Sequence, residues 1–565
     1  MDQYFVGLEN YDPALWPDAS FWADSNMTNS NSTMSTSSSL PPWRGTNGMI
    51  STMPAGPAID AVAPLFVQSG LNSGIPLAVQ GFNGPNTADR NGVGYYEFNI
   101  LNGVRNSVAE SMLGGMNPEA RAIPSNLEVQ TGATVTRLLF GPGSNHTHAA
   151  VGVEVQPAIP GGSPTLYMLK PSDPNAEVIL AAGAVMTPQI LYNSGIAENG
   201  NVANVTGVGK HLVDQPAVPI AFELSPSLAQ QAPSLYTMSL AMENYFISVD
   251  ELNIVESQKR LALWNATQSA GLPTYAGAKT SGRTTTTTGI WPSSSNTGTN
   301  SSGNKTAPSN TTSSTSTTTS STTASILNAS RTKLFAEAQG LGTMATAGFA
   351  AGAFIRSPYA VSPEADLQLT VFPRVLEPHV IRLEKQHKKF LANLTQDLNA
   401  PAMLVTVTLL KPQGEYVVNF APKPSVTAGQ FQPPGFALPA NRSTYLTDLD
   451  VRRLAWGVNQ VRRILGTAPL STQTGLEVLP GTSVNGTVLD EYIHASHLRN
   501  AYWVGSCQMG TGPEAVVDEN VKVKGVQQLR VVDASIFPTT PNGNTHASVV
   551  AVASRATDLI WGGRT

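Results

Sequence analysis

Alternating apolar and polar positions predict a pair of β-strands in the first third of the chain. Residues 126–140, NLEVQTGATVTRLLF, alternate with a period of two, and residues 150–155, AVGVEV, do so again. Successive side chains of a strand point to opposite faces of its sheet, so these runs suit strands with one buried face. We predict that the two strands pair antiparallel.

A buried strand followed by a helix is predicted by the stretch EVILAAGAVMTPQILYNSGI. The continuous apolar run over residues 178–182 is typical of such a strand, and Gly183 ends it. Thr187 is then the expected N-cap of the helix, with Pro188 at its first position, where no N–H is needed. Gly195 stands where that helix would stop.

The C-terminal region repeats this order of elements. Residues 528–537, QLRVVDASIF, predict a strand that ends near Asp533, and the turn-rich loop PTTPNGN follows. Residues 545–561 have the pattern of an apolar helix that Asn544 or Thr545 would cap. A helix N-terminus beside a strand end favours an anion or a cofactor, because unpaired N–H groups and the helix dipole both point there.

Two polar segments have too few apolar residues to form a core. One covers residues 25–40, and the other is a Ser/Thr/Asn tract over residues 281–325. Such a tract cannot offset the conformational entropy of ordering, so we predict a disordered low-complexity insertion at 281–325. A glycosylated surface loop is the functional interpretation, and neutral expansion of the tract is the simpler one.

Composition limits the class of protein. The 565 residues allow two or more domains, and 41% of them are hydrophobic. The net charge of −5 gives no electrostatic basis for binding nucleic acid. The longest apolar run, near residues 344–355, is shorter than the roughly 20 residues that span a bilayer. The N-terminal residues do not have the pattern of a signal peptide.

Cysteine and asparagine usage bears on the compartment. Cys507 is the only cysteine, which excludes an intramolecular disulfide and a multi-cysteine metal site, and we expect no metal. The low share of charged residues, 13%, together with N-x-Ser/Thr sequons, favours a secreted glycoprotein over chance occurrence of sequons. The sequons considered are those at Asn145, Asn204, Asn265, Asn393, Asn441 and Asn485.

Several ordered stretches resemble the glucose–methanol–choline (GMC) oxidoreductases, FAD enzymes that oxidise alcohols and sugars. Residues 177–196 are similar to that family's second signature. Residues 207–216, GVGKHLVDQP, resemble its GVG-x-x-L-x-D-H-P motif, with Gln215 in place of histidine. Residues 516–560 resemble its closing segment. The stretch NAYWVGSCQMG, residues 500–510, is closest to the cellobiose-dehydrogenase-like branch.

The resemblance implies a mixed α/β fold. It predicts a GMC-type FAD-binding domain, incomplete at its N-terminus, and a substrate domain built on an antiparallel sheet. The expected division is a connecting and substrate-side segment at 1–118, an FAD-domain segment at 119–213, a substrate-binding domain at 214–490 and a C-terminal FAD-domain and active-site segment at 491–565.

One element of the family's pattern is not in the sequence. The opening strand–GxGxxG–helix, which brings backbone N–H groups to the pyrophosphate of the cofactor, does not occur in these residues. We therefore expect a truncated sequence, with a natural short form as the alternative. A chain without that element would hold only part of an FAD.

The catalytic position also departs from the family. By resemblance, Tyr502 stands where the family has its histidine base, and Asn544 stands at the base's partner. Histidine suits this role because its pKa, about 6.5, lies near the working pH. A phenol with a pKa near 10 is protonated by roughly a thousand to one at about pH 7, so Tyr502 would donate a hydrogen bond but be a poor base. His546 and His497 are the alternative bases.

The resemblance also implies the residues that would contact FAD. The adenine would meet the main chain at Val135, and small residues at the strand end would let the backbone approach the cofactor closely. The full expected set is Val135, Ala182, Gly183, Asp533, Ala534, Asn544 and Thr545.

Three hypotheses for function follow. The leading one is an FAD-dependent oxidoreductase that acts on the CH–OH group of a small-molecule alcohol or sugar, with dioxygen or another electron acceptor. The alternative is a non-redox or inactive GMC-fold protein with a binding, lyase or cyclase role, because Tyr502 replaces the base. A third is a secreted wall or matrix protein, and only the Ser/Thr tract supports it.

Overall fold

The structure is a computed structural model. It describes residues 2–11, 43–54, 61–78, 81–84, 90–101, 104–113, 125–144, 147–157, 162–231, 348–375, 402–421 and 434–562. The predicted insertion at 281–325 and the polar segment at 25–40 lie outside the described residues, as do the sequons at Asn145, Asn265 and Asn393.

The described residues contain both helices and strands. The helices are α1 Asp2–Leu8, α2 Val62–Asn72, α3 Val108–Leu113, α4 Gly183–Asn193, α5 Pro226–Gln231, α6 Asp448–Leu465, α7 Thr487–Ser496 and α8 Thr545–Gly562. The strands are β1 Glu9–Tyr11, β2 Ile50–Pro54, β3 Gly92–Tyr95, β4 Glu97–Phe98, β5 Ile100–Leu101, β6 Val104–Arg105, β7 Ala133–Pro142, β8 His148–Pro157, β9 Thr165–Met168, β10 Val178–Leu180, β11 Ile196–Ala197, β12 Ala203–Asn204, β13 Pro216–Leu224, β14 Ala351–Ile355, β15 Leu367–Val375, β16 Ala402–Leu409, β17 Val417–Asn419, β18 Gly435–Ala437, β19 Thr474–Leu479, β20 Leu498–Arg499, β21 Val526–Gln527 and β22 Leu529–Val531.

The largest sheet has seven strands, in the order β19-β13-β16-β15-β14-β3, with β20 also paired to β13. All of these pairings are antiparallel, which confirms the predicted antiparallel sheet. One face is apolar: Leu369 pairs with Val407 and Val371 with Val405, and these side chains pack into one buried cluster with residues of α2 and α6. The opposite face is mixed, with Gln368 opposite Thr408.

Helix α6 covers the apolar face of this sheet. Thr447 caps it in a capping box, because its hydroxyl accepts from the Asp450 N–H while the Asp450 carboxylate accepts from the Thr447 N–H. Buried side chains recur at helical spacing along its inner face, namely Val451, Leu454, Val458, Val461 and Leu465. The helix therefore lies with its apolar side chains against the sheet, while Asp450 and Arg453 are buried as an ion pair.

The first predicted strand pair is confirmed. Strands β7 and β8 are antiparallel, with Val135 opposite Val155, and β9 adds a third strand to β8. The first strand begins at Ala133, so residues 126–132 precede it. A second buried cluster packs beneath this sheet and includes Leu138 and Ala150.

The predicted strand and helix at residues 177–196 form, but the helix begins earlier than expected. Helix α4 starts at Gly183, so the prediction of Thr187 as N-cap is wrong. The carboxylate of Asp533, which follows β22, accepts from the Gly183 N–H and from the Thr187 hydroxyl and holds the start of the helix at Gly183. Pro188 lies inside the helix and has no N–H for the Ala184 carbonyl four residues earlier.

That carbonyl finds its donor in another segment, since the Ser506 hydroxyl donates to the Ala184 oxygen. A proline inside a helix is thus compensated by a tertiary hydrogen bond. The strand before the helix, β10, pairs in parallel with β22, with Val178 opposite Leu529. The C-terminal prediction is confirmed, because a strand precedes Asp533 and helix α8 begins at Thr545.

A close helix–sheet approach at Gly457 yields the first prediction. A Cβ added at Gly457 would lie 2.5 Å from Val407 Cγ1 and 3.0 Å from Leu367 Cδ1. We expect Gly457→Ala to lower the free energy of unfolding by about 1–3 kcal/mol, because the added methyl overpacks the helix–sheet contact. Urea unfolding followed by circular dichroism measures the change.

The matched control is Gly7→Ala in α1, where an added Cβ meets nothing within 4 Å. Its stability should stay within about 1 kcal/mol of the wild type, since only helix propensity changes. Equal losses in both variants would contradict a specific contact at Gly457.

Candidate active site

The two predicted catalytic residues contact each other directly. The side-chain amide of Asn544 donates to the Tyr502 hydroxyl oxygen over 2.7 Å. Tyr502 is half-buried, whereas Asn544 is exposed just before the N-terminus of α8. The phenol oxygen accepts this bond, so its own hydrogen is left to donate to a second acceptor.

The surroundings keep the Tyr502 phenol protonated. Burial raises the pKa of Tyr502, and the nearby Asp214 carboxylate raises it further. The Asn544 hydrogen bond opposes this, because it favours the phenolate, but it is the smallest of the three effects. At neutral pH Tyr502 is therefore a hydrogen-bond donor and not a base.

Asp214 anchors the segment that carries Tyr502. Its buried carboxylate accepts from the Tyr502 N–H over 2.8 Å and from the Ala501 N–H over 3.2 Å. Burial raises the pKa of Asp214, whereas these backbone N–H groups act in the opposite direction. Ala501 lies in the left-handed region, with φ of 58°, and the two bonds hold this turn in place.

The residues after Tyr502 run beside the loop that follows β22. Backbone hydrogen bonds join Gly505 N to Ala534 O at 3.3 Å, Cys507 N to Ser535 O at 2.8 Å and Met509 N to Ile536 O at 2.9 Å. Full burial raises the pKa of the Cys507 thiol strongly, so the thiol is not a nucleophile.

Asp533 holds the turn between β10 and α4 by three hydrogen bonds. Its carboxylate accepts from the Gly183 N–H at 2.9 Å, from the Thr187 hydroxyl at 2.6 Å and from the Ser535 N–H at 2.8 Å. The other side of this turn is accessible to solvent. Ala182 is exposed, and a Cβ added at Gly183 would meet nothing within 4 Å. Gly183 has φ of 82°, a conformation that favours glycine.

The structure therefore brings most of the predicted site residues into one hydrogen-bonded neighbourhood. Tyr502 contacts Asn544, Gly183 contacts Asp533, and Ala534 contacts the backbone three residues after Tyr502. Val135 is the third residue of β7 and packs against the same buried cluster as β10 and β22. The contacts of these residues with FAD stay predictions.

Two residues that position the site had no role in the sequence analysis. Asp214 was noted only as part of the GVGKHLVDQP stretch, and Tyr445 was not noted. The Tyr445 hydroxyl donates to the Asp214 carbonyl over 2.6 Å. The signal available in the sequence was an acidic residue at the start of a strongly apolar strand, where burial without partners would be costly.

The two alternative bases, His497 and His546, lie in different surroundings. His494 is in the last turn of α7. His497 ends that helix, and its Nδ1 bonds the His494 carbonyl at 3.0 Å while its ring stacks on Tyr445. Burial lowers the pKa of His497. Partial burial and Arg105 lower the pKa of His546.

Another histidine, His211, bridges two carboxylates. His211 Nδ1 is 2.8 Å from Glu415 Oε2, and its Nε2 is 2.9 Å from Glu514 Oε2. These bonds, Glu415 foremost, raise the pKa of His211 to about 9 despite opposing burial. Lys210 also pairs with Glu514, at 3.0 Å. At neutral pH this imidazolium joins three segments that are far apart in sequence.

Two profiles of the GMC oxidoreductase family match the chain. The N-terminal profile matches residues 17–217 and the C-terminal profile matches residues 432–553, which together cover more than half of the sequence. The chain thus belongs to the GMC oxidoreductase family, as expected from its motifs. Enzymes of this family are FAD-dependent, so FAD is the cofactor that the family brings to this fold.

Curated relatives extend the comparison. The chain is 27% identical over 459 residues to the chloroplastic fatty acid photodecarboxylase of Chlamydomonas reinhardtii, which covers 77% of this chain and 57% of that protein. It is 40% identical over 107 residues to an oxygen-dependent choline dehydrogenase of Vibrio vulnificus, 18% of this chain and 19% of the relative. The chain therefore spans less than two thirds of either relative.

Solved structures show the same fold. The formate oxidase of Aspergillus oryzae aligns with a TM-score of 0.60 at 17% identity, over 99% of this chain and 77% of that one. A fungal aryl-alcohol oxidase aligns with a TM-score of 0.57 at 16% identity, over 99% and 78%.

Two searches of the described residues found nothing. Among the described helices none is long and apolar enough to cross a membrane. Within the same parts of the chain, no group of three or more His, Cys, Asp or Glu side chains is arranged to hold a metal ion.

The His211 bridge predicts a pH-dependent contribution to stability. The pKa of about 9 in the folded state lies above the usual 6.5, so the stabilisation is complete below about pH 6.5 and is lost as pH rises through 9. We expect His211→Asn, which tolerates φ of 58°, to be least stable relative to wild type near about pH 6. The difference in the free energy of unfolding between wild type and His211→Asn should be smaller at about pH 9.5.

Urea unfolding of both proteins at the two pH values measures this difference. His494→Asn is the control, because His494 contacts neither Glu415 nor Glu514 among the described contacts. A difference for His211→Asn that is the same at both pH values would rule out the ionic bridge.

Proposed function

We propose that this protein is an FAD-dependent oxidoreductase that acts on the CH–OH group of an alcohol. The observation that carries the proposal is the 2.7 Å contact between Asn544 and Tyr502. The motif resemblance predicts that both residues stand at the positions of the family's catalytic pair, and family membership supports the reaction class. The bound FAD would accept hydride from the substrate carbon.

Tyr502 would hold the substrate hydroxyl in this reaction. Its oxygen accepts from Asn544, so its hydrogen would be available to donate to the substrate oxygen. The raised pKa of Tyr502 makes the phenolate scarce at neutral pH, and proton removal from the substrate would then be the slow step. Turnover is expected to be slow near neutral pH and faster in alkali.

The residues that would hold FAD surround this pair. The exposed Ala182 and the open space in front of Gly183 support close approach of the cofactor at the end of β10. The unpaired N–H groups in the first turn of α8 suit an electron-rich group of the flavin. The proposed contacts are Ala182, Gly183, Asp533, Ala534, Asn544 and Thr545, with the main chain of Val135 at the adenine.

The large sheet suggests the class of alcohol. Its mixed face adjoins the site, because the Asn500 amide donates to the Thr408 hydroxyl over 3.4 Å. Six rings cluster at one end of this face: Phe82, Tyr96, Phe98, Phe349, Phe354 and Phe372. A Cβ at Gly543, next to Asn544, would lie 4.0 Å from the Phe354 ring. We infer an aromatic or otherwise apolar alcohol in preference to a sugar.

A non-redox reaction is the second candidate. The observation in its favour is the protonated Tyr502, which can donate a hydrogen bond to a substrate carboxylate as well as to an alcohol. The relative that matches this chain over 459 residues is named a fatty acid photodecarboxylase. Dioxygen or another electron acceptor would be needed only for the oxidoreductase.

Secretion and glycosylation remain proposals from the sequence. The described sequons support them, because Asn204, Asn441 and Asn485 are all exposed. Asn485 already bonds Arg462 and the Thr482 carbonyl, so Asn441 is the preferred carrier of a glycan.

Replacing Tyr502 tests the oxidoreductase proposal. In the flavin-loaded protein, mixed anaerobically with benzyl alcohol, the oxidised-flavin absorbance should decay faster as pH rises throughout the accessible range. Tyr502→His should accelerate the decay about a hundredfold at neutral pH and move the half-maximal rate to about pH 6.5, because it restores a base. Tyr502→Phe should abolish the pH dependence.

Tyr359→Phe is the control, because Tyr359 is an exposed tyrosine elsewhere on the surface. Flavin that stays oxidised in Tyr502→His with every alcohol tried would refute the oxidoreductase and favour the non-redox reaction. An unchanged pH profile in Tyr502→Phe would remove Tyr502 from the mechanism.

Phe354 tests the substrate class. We expect Phe354→Ala to weaken equilibrium binding of benzyl alcohol about threefold to tenfold, the usual value of a lost aromatic contact, and to leave the weak binding of glucose unchanged. The perturbation of the flavin spectrum on titration measures both affinities. Phe5→Ala, on the exposed side of α1, is the control. Tighter binding of glucose than of benzyl alcohol by wild type would contradict the proposed class.

A further inference from the structure

Two consecutive buried residues, Asp214 and Gln215, reach the two loops that carry Tyr502 and Asn544. Both side chains are almost fully buried, with exposures of 1% and 0%. They precede β13, which begins at Pro216 inside the seven-stranded sheet. Their placement by a central strand gives both side chains a rigid base.

The first half of the pair holds the Tyr502 loop. The Asp214 carboxylate accepts from the backbone N–H groups of Ala501 and Tyr502, and its own backbone is held on the other side by Tyr445. The neighbouring backbone is fixed as well, because Val213 and Val504 exchange both of their hydrogen bonds at 2.9 Å. The Tyr502 backbone is therefore tied to this strand.

The second half of the pair holds the Asn544 loop. The Gln215 side-chain amide donates to the Pro541 carbonyl over 2.8 Å and to the Leu410 carbonyl over 3.2 Å. The Thr540 hydroxyl donates to the same Leu410 carbonyl over 2.6 Å, and the Lys411 ammonium donates to the Thr540 carbonyl. The chain three residues before Asn544 is thus bound to β16 and to Gln215.

We propose that Asp214 and Gln215 are a positioning pair that sets the separation of Tyr502 and Asn544. A planar peptide bond joins them, so the loop held by one side chain has a defined distance from the loop held by the other. Neither residue contacts the substrate. Gln215 acts through the Pro541 carbonyl and Asp214 through the Tyr502 backbone.

The pKa of Tyr502 reports on this separation without any activity. Loss of the Asn544 donor should raise the pKa of Tyr502, because the bond favours the phenolate. If Gln215 positions Asn544, then Gln215→Met should also raise the pKa of Tyr502. The double variant Gln215→Met/Asn544→Ala should then have the same Tyr502 pKa as Asn544→Ala alone. Such non-additivity identifies residues that act through one another.

The pKa of Tyr502 is measured by fluorine NMR after tyrosine is replaced by 3-fluorotyrosine, whose phenol titrates at lower pH than that of tyrosine. The signal of Tyr502 is the one that disappears in Tyr502→Phe. Gln189→Met is the matched control, since Gln189 is a buried glutamine that bonds Ala421 and Asn193 instead. It should destabilise the protein and leave the Tyr502 titration unchanged. Gln215→Leu, which is uncharged and has no donor, replaces Gln215→Met if that variant does not fold.

Two results would overturn the proposal. One is a Tyr502 titration in the Gln215 variants that equals wild type or shifts additively with Asn544→Ala. The other comes from the wild type alone: the Ala501 and Tyr502 amides should be protected from hydrogen exchange, and exchange as fast as in exposed loops would exclude the Asp214 anchor. A role of this positioning in catalysis rests on the proposed function. The positioning itself does not, because neither measurement requires turnover.

Discussion

Buried carboxylates that accept backbone N–H groups are the interaction on which the rest of this structure depends. Asp214 holds the turn at Ala501 and Tyr502, and Asp533 holds the turn at Gly183. A buried carboxylate is costly unless donors surround it, so each one fixes the loop that supplies its donors. The turns at Ala501 and Gly183 are in this way attached to the two buried clusters of the described residues.

These anchors also determine the chemistry that the site can perform. Asp214 positions Tyr502 and at the same time raises the pKa of its phenol, so the proposed catalytic pair keeps its contact while the phenol stays protonated. A histidine at this place would be a base near neutral pH, whereas a buried phenol beside a carboxylate remains protonated. This chain thus has the fold of the GMC family with Tyr502, a hydrogen-bond donor, in its candidate site.

The sequence analysis was most successful where structure is local. The alternation in β7 and β8 and the apolar pattern of α8 each predicted an element that the structure contains. It failed at the start of α4, because Thr187 and Pro188 have the local signature of a helix N-terminus. Ser506 donates to the carbonyl that Pro188 leaves unpaired, and this contact joins residues 322 positions apart.

The sequence by itself determined the family, the strand and helix patterns and the residue types at the proposed catalytic positions, since periodicity and motif wording are properties of neighbouring residues. Only the tertiary structure decided that Tyr502 bonds Asn544, that Asp214 holds Tyr502 and that His211 bridges two glutamates. The Asp214–Tyr502 bond joins residues 288 positions apart. The partner of a buried polar group depends on which loops the packed sheet brings together, and no local pattern records that.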